Sequence, residues 1–266
     1  MSGAPPRVLT IAGSDSSGGA GIQADIKTIV MLGGYAMTAI TAITAQNTRG
    51  VQAVEALSAE LVGAQIDTCL SDIGVDAVKI GMLGSPAIAE AVARRLESFA
   101  GAIIFDPVMV ATSGGVLADA DTIAAFAPLM NLATLVTPNL PELAALTGMP
   151  VSHHEAIAAA AHILVQRHGC AVLAKGGHGE GERVTDTLIL ADGDFANFDD
   201  ARITSRHTHG TGCTLSSAIA TLLGHGQPLP HAVRLARRFV RQAIEAAPGF
   251  GDGNGPLGHH AVRGLA

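Results

Sequence analysis

Tryptophan is missing from the 266 residues, tyrosine occurs once, and aromatic residues make up only 3%. A core built on large rings is therefore excluded. With 48% apolar residues and 32 glycines, the composition instead suits aliphatic helices packed closely on a sheet. The chain also lacks a positive balance. Its 16 basic residues face 23 acidic ones, a formal charge of −7, and no block of like charge forms a tail. Neither is the footprint of a nucleic-acid binder. Only three cysteines occur, Cys69, Cys170 and Cys213. Their number is odd and their spacing fits no metal site, which predicts a reduced, cytoplasmic setting. No run of about 20 apolar residues exists to span a membrane. The N-terminus passes straight into a short apolar strand, so no signal peptide is expected. No compositional break or internal repeat divides the chain, which predicts one domain over residues 1–266.

What is present starts with His207-Thr208-His209-Gly210-Thr211-Gly212-Cys213-Thr214-Leu215. Two glycines flank a threonine, and an apolar run continues at helical spacing through Leu223. Gly210 and Gly212 permit a tight turn and close approach to a ligand. The first N–H groups of the helix then have no internal partner, and they sit at the positive end of its dipole. This is a cradle for an anion. The same field is expected to lower the pKa of Cys213. A glycine-containing loop before a core helix, with Cys213 as a small buried hydrophobe, is the plainer alternative.

The rest of the chain alternates strand and helix. Strands are predicted at Val8–Ala12, Ala36–Thr44, Val51–Leu57, Ala77–Ile80, Ala102–Phe105, Leu135–Thr137, Ala171–Ala174 and Thr185–Leu190. Helices are predicted from Ile22 to about Gly33, over Ala59–Ile73, from Pro86 to about Ser98, from the loop Ser113-Gly114-Gly115 to Met130, and, after Pro138-Asn139-Leu140-Pro141-Glu142, a separate one to Leu146. Others follow over Glu155–Arg167, after Gly212, and from Pro230 to Ala246, before a glycine-rich tail. This order argues an α/β fold with a mostly parallel central sheet and helices on both faces. Asp106, Asn139, Glu142 and Lys175 fall at or just beyond strand C-termini, and Gln46 is placed just past another. In an open α/β sheet such positions converge on one crevice. Carboxylates, an amide, a lysine and an anion cradle are what phosphoryl transfer needs. Asp25 sits one turn into a helix, where a dipole role and a ligand role are equally open. Arg234, Arg237, Arg238 and Arg241 share helical spacing and read as a solvated face. The pairs His153-His154 and His259-His260 read as surface residues.

Seven blocks occur in order: Gly18 to Asp25, Ala45-Gln46-Asn47-Thr48, Lys79-Ile80-Gly81-Met82, Asp106-Pro107-Val108-Met109, Thr137 to Glu142, Lys175-Gly176-Gly177-His178 and Thr208 to Cys213. Together they resemble the hydroxymethylpyrimidine/phosphomethylpyrimidine kinases of thiamine biosynthesis, members of the ribokinase-like superfamily. The resemblance implies a three-layer α/β/α sandwich. It implies ATP- and Mg²⁺-dependent phosphorylation of 4-amino-5-hydroxymethyl-2-methylpyrimidine and then of its monophosphate. It places Gln46 on the pyrimidine edge, with Asp25, Gly13, Thr44, Met82 and Val108 around the ring. It places Asp106 and Glu142 on the metal, and Asn139, Lys175, Gly177 and Thr211 on the nucleotide. Gly210, Thr211, Gly212 and Lys175 then hold the transferring phosphate. Cys213 stands where many sugar kinases carry an aspartate base, and a thiolate there would accept the hydroxyl proton. A homodimer is implied as well. Departures are His207 for a common asparagine, Asp252 for a histidine in the tail, and Thr44 where a small apolar residue also occurs. A pyridoxal/pyridoxine kinase, or an enzyme serving both rings, is the nearest rival. A Cys213–His209 hydrolase and a non-catalytic pyrimidine-binding domain are remoter ones.

Overall fold

The computed structural model describes residues 3–110, 114–179 and 181–264; Ser113, at the start of the expected Ser113-Gly114-Gly115 loop, thus lies outside the described residues. In chain order the elements are β1 (Arg7–Asp15), α1 (Gly21–Met31), β2 (Tyr35–Asn47), β3 (Gly50–Ala56), α2 (Ala59–Thr68), β4 (Ala77–Ile80), α3 (Pro86–Leu96), β5 (Ala102–Phe105), α4 (Ala120–Ala124), α5 (Ala127–Leu132), β6 (Leu135–Val136), α6 (Leu140–Thr147), α7 (His154–His168), β7 (Ala171–Ala174), β8 (Arg183–Ile189), β9 (Phe195–Ala201), α8 (Thr211–Gly224) and α9 (Leu229–Glu245). They form one nine-stranded sheet in the order β3-β2-β1-β4-β5-β6-β7-β8-β9. The six strands from β2 to β7 in that order run parallel, and antiparallel β3 and the β8–β9 hairpin close the two edges. This is the α/β sandwich expected.

The parallel strands are short apolar runs because both faces are covered. Side chains alternate between two cores. Leu9, Ile11, Val78, Ile80, Ile103, Phe105, Val136 and Val172 pack with Val62, Ile66, Val92, Leu129 and Leu164 from α2, α3, α5 and α7. Val8, Ile104, Leu135 and Leu173 pack on the other face with Ile29, Ile219 and Val233 from α1, α8 and α9. Ser85 caps α3 through a bond from the Ile88 N–H, and Pro86 opens the helix where a missing N–H costs nothing. On α9, Ala232, Val233, Ala236, Phe239 and Ala243 recur at helical spacing and are buried.

Several expectations need correction. The single helix ending at Met130 is two short ones, α4 and α5. Asp119 caps the first, which stops at Ala125. Pro128 has no N–H to continue the helical ladder, and it is tolerated only in the first turn of a new helix, where α5 places it. β2 runs on to Asn47, because β3 pairs with it as an antiparallel hairpin. Gln46 therefore lies inside a strand end, at a register shift opposite Val51, and not beyond it. Arg237 is buried against Asp186 and Asp200 instead of facing solvent. His259 is buried too, within 2.8 Å of the Thr214 hydroxyl. Among the described residues no helix is long and apolar enough to cross a membrane.

Candidate active site

The parallel ladder continues past the strand ends and so sets the site. The Asp106 N–H bonds to the Ile80 carbonyl, Thr137 N–H to Phe105, and Lys175 N–H to Pro138, each at 2.9 Å. These backbone bonds place the three residues side by side along the sheet's C-terminal edge. Lys175 Nζ then reaches Asp106 Oδ1 at 2.6 Å, and the Thr137 hydroxyl donates to the same oxygen at 3.1 Å. Asp106 is buried and Lys175 nearly so. Burial opposes the lysine's charge, but Asp106 and Glu142 beside it outweigh that cost and hold its pKa above the usual lysine value.

The cradle meets this pair directly. Gly210, with φ of 87°, is the left-handed residue before α8, and a side chain there would collide with the Gly19 carbonyl. A Cβ at Gly212 would stand 3.3 Å from both Asp106 Oδ2 and Lys175 Nζ. Glycine thus keeps the space between the helix N-terminus and the ion pair open. The loop before the cradle does not run directly out of a strand; β9 ends nine residues before Gly210, and His209 is held by a bridge to Pro256 in the glycine-rich tail.

Asn139 and Glu142 first serve as a reciprocal cap on α6. The Glu142 N–H bonds to Asn139 Oδ1 at 2.9 Å, and the Asn139 N–H to Glu142 Oε2 at 2.8 Å. A bridge beside Lys175 brings the cap to the same edge. Glu142 is nearly buried. Burial pushes its carboxyl up to about 7; Lys175 opposes the rise and Asp106 adds to it. Gly177 lies exposed in a short turn after β7, with its carbonyl accepting from Arg202. Thr211 opens α8.

Cys213 lies in the first turn of α8 and is partly exposed. Its thiol is not activated as expected. Burial of the sulfur pushes its pKa up to about 11. Lys79 and the Gly21 N–H act in the opposite direction, but Asp25 and Asp106 reinforce burial. Burial first, and the two carboxylates after it, outweigh what favours the thiolate.

Asp25 is likewise committed elsewhere. It forms an ion pair with Lys79 at 2.9 Å, accepts from the Thr10 and Ser217 hydroxyls at 2.5 and 2.7 Å, and has no exposed side-chain surface. Lys79 received no role from the sequence. The signal was available: it is a lysine in the middle of the four-residue strand Ala77–Ile80, which a covered sheet must bury on both faces. Gly81 leaves room for it, since a Cβ there would stand 2.8 Å from Lys79 Nζ.

The ring-side residues gather at the end of β1. Met82 Sδ lies 3.1 Å from where a Gly13 Cβ would be. Thr44 is buried and Gln46 half-buried, with the Thr44 hydroxyl 3.2 Å from Gln46 Oε1 and 3.0 Å from the Ser14 carbonyl. Val108 is half-buried beside Asp106, to whose carbonyl its N–H bonds. Two further residues were missed here as a pair. His209 Nε2 lies 2.8 Å from Asp15 Oδ2 and 3.3 Å from Gln46 Nε2. A cavity of about 520 Å³ beside Ile26, Val30, Phe250 and His260 is lined by none of the site residues expected from the sequence.

The described geometry joins an anion cradle, a lysine–carboxylate pair and a half-buried amide along one sheet edge. Comparison with known proteins agrees with that chemistry. A family model described as phosphomethylpyrimidine kinase matches residues 15–258. The hydroxymethylpyrimidine/phosphomethylpyrimidine kinase of Rhizobium meliloti is 50% identical over 256 residues, 94% of this chain and 96% of that one. A thiamine biosynthesis multifunctional protein of Corynebacterium efficiens is 42% identical over 97% of this chain, which spans only 36% of that longer protein. Among solved structures, phosphomethylpyrimidine kinase from Clostridium difficile is similar with a TM-score of 0.80 and 39% identity, over 90% of this chain and 99% of that one. Pyridoxal kinase from Staphylococcus aureus in complex with AMP-PCP and pyridoxal is similar with a TM-score of 0.89 and 34% identity, over 97% and 95%.

Proposed function

The chain belongs to the phosphomethylpyrimidine kinase family and is a phosphotransferase of thiamine biosynthesis; from that premise we propose that its sheet-edge pocket phosphorylates 4-amino-5-hydroxymethyl-2-methylpyrimidine and then its monophosphate, with ATP as donor. The observation that carries this is the space at Gly212, where a Cβ would stand 3.3 Å from both Asp106 Oδ2 and Lys175 Nζ. A phosphoryl group seated on the first N–H groups of α8 would have a cation and a carboxylate at its side. Phosphoryl transfer asks a protein mainly for positioning and charge neutralisation. Lys175, Thr211 and the N–H groups at Gly212 and Cys213 supply them. Asn139 and Gly177 belong to the nucleotide side. Gln46 reads the ring edge, and Gly13, Thr44, Met82 and Val108 enclose the ring. Asp25 acts from beneath, through Lys79.

The residues fit a hard divalent cation. Asp106 and Glu142 offer oxygen donors at one edge, and the Glu142 carboxyl titrates near neutrality beside Asp106. Among the described residues no three metal-ligating side chains gather, so such an ion would rest largely on waters and substrate phosphates, as Mg²⁺ does. When bound, it would neutralise phosphate oxygens; Asp106 and Glu142 would hold it. With its pKa pushed up to about 11, Cys213 carries its proton at neutral pH, which weighs against a resident thiolate base. We place the thiol at the cradle wall, where its shape and weak polarity position the attacking hydroxyl. A homodimer acting in the cytoplasm completes the proposal.

The test is an ADP-release assay with Mg-ATP on hydroxymethylpyrimidine, its monophosphate and pyridoxal in parallel. Turnover on both pyrimidines is the expected result. Turnover on pyridoxal alone would keep the site and overturn the substrate.

A further inference from the structure

The Gln46 amide has two ends of the same shape and opposite chemistry, and its neighbours decide which end faces which. Asp15 is buried. Burial opposes its charge, but bonds from His209, Ser17 and Ala20 outweigh that and bring its pKa down to about 2. It is therefore a pure acceptor at neutral pH. His209 Nε2, 2.8 Å away, must carry a proton toward it. That same N–H is 3.3 Å from one end of the Gln46 amide. An amide NH₂ at that end would set donor against donor. On the other side, the Thr44 hydroxyl has a single proton, and the Ser14 carbonyl at 3.0 Å can only accept it. Thr44 Oγ1 lies 3.2 Å from the other end of the amide, to which it donates if that end is oxygen and from which it accepts, its proton given to Ser14, if that end is nitrogen. The His209 N–H asks for the amide turned end for end from the placement with Oε1 toward Thr44 and Nε2 toward His209, the two placements having the same shape. With the oxygen toward His209 and the nitrogen toward Thr44, Thr44 gives its proton to Ser14 and accepts from the amide, and every group is paired.

We propose that Asp15 and His209, with Thr44 opposite, are positioning residues that fix the polarity of the Gln46 amide and thereby the order of donor and acceptor it presents to substrate. The proposal rests on Gln46 facing the ring. With the polarity fixed, the second N–H of the amide points out on the Thr44 side and the second oxygen lone pair on the His209 side. This pair matches a heteroaromatic edge with an acceptor nitrogen next to an amino donor, in one order only. A ring offering a different order, or lacking the amine, leaves a buried polar group unpaired. The pair also ties the amide to the cradle. His209 directly precedes Gly210, and its ring lies where a Gly19 side chain would have to be. Asp15 in turn accepts from the N–H groups of Ser17, Gly19 and Ala20.

The experiment is steady-state kinetics of Asp15→Asn, Thr44→Val, Thr44→Ser and Gln46→Ala, and of Asp15→Asn combined with Gln46→Ala, on hydroxymethylpyrimidine and pyridoxal at saturating Mg-ATP. Asp15→Asn lets His209 shift its proton and the amide turn. KM for the pyrimidine should rise about 10-fold, with KM for ATP, read separately at saturating pyrimidine, unchanged, and the preference for pyrimidine over pyridoxal in kcat/KM should shrink. Asp15 also shapes its loop, so Thr44→Val provides a second route that leaves every Asp15 bond in place. It should raise the same KM, and Thr44→Ser should restore it. In the Gln46→Ala background Asp15→Asn should add nothing to the pyrimidine KM, because no amide is left to orient. Independent, multiplying losses there, or a Thr44→Val enzyme with an unchanged KM, would overturn the proposal. If Gln46→Ala alone leaves the pyrimidine KM unchanged, the ring-edge role of Gln46 fails first, and with it the premise.

Discussion

Lys79 Nζ stands 2.9 Å from Asp25 Oδ2, and neither side chain has any exposed surface. Burial works against the lysine's charge, yet Asp25, Cys213 and Asp106 together hold its pKa above the ordinary value. The pair sits under the cradle, with Ser217 of α8 and Thr10 of β1 bonded to the same carboxylate. It ties the helix that carries the anion seat to the sheet.

Removing one partner strands the other charge in the interior. Lys79→Met should therefore destabilise the fold by about 3–5 kcal/mol, read from urea unfolding midpoints. The double variant Lys79→Met with Asp25→Leu should recover much of that loss, since an apolar pair leaves no unpaired charge. Equal destabilisation of the single and double variants would refute the ion pair as the source.

Asp106→Asn keeps the size of the side chain but removes the charge that faces Lys175 and the cradle. The expected effect is a fall in kcat of about 10²–10³-fold, with pyrimidine KM little changed and the circular dichroism spectrum intact. A drop confined to pyrimidine KM would move Asp106 away from the phosphate side.

Thiol alkylation checks the Cys213 environment. With a pKa near 11, its rate of reaction with iodoacetamide should stay low at pH 7 and climb until about pH 11. Peptide mass spectrometry separates it from Cys69 and Cys170. Rapid labelling at neutral pH would restore an activated thiolate and reopen the base role.

Glu142 gives a pH signature of known sign. Its folded pKa of about 7 lies above the ordinary 4.5, so folding favours the protonated form. Its favourable share is full below pH 4.5 and disappears as pH rises through 7. Glu142→Gln retains the reciprocal cap. It should match the parent below pH 4.5 and exceed it in stability above pH 7, in denaturant titrations without nucleotide or metal. The opposite order above pH 7 would show a carboxylate held by its partners instead of strained by burial.

The layout of the sheet was legible from residue order. Short apolar runs such as Ala102–Phe105 and Ala171–Ala174, each followed by a polar residue and a helix, specify parallel strands covered on both faces, because no other arrangement buries them. The address of Asp106, Asn139 and Lys175 follows from the same pattern. So does a tight glycine turn at Gly210, although its need for glycine comes also from the Gly19 carbonyl packed against it.

Tertiary structure decided what periodicity cannot encode, namely which charges meet across the sheet. Arg237 carries the same helical spacing as exposed Arg234 and Arg238, but Asp186, fifty-one residues away in sequence, draws it inside. Cys213 sits at a helix N-terminus, as the sequence requires, yet burial, with Asp25 and Asp106 adding to it, raises the pKa that the helix alone would lower. His209 pairs with Asp15 across 194 positions. The sequence by itself determined the fold, the family and the edge on which chemistry sits, since these rest on local pattern and order. Protonation states and side-chain partners rest on distances of a few ångströms between residues far apart in the chain, and only the folded packing sets those.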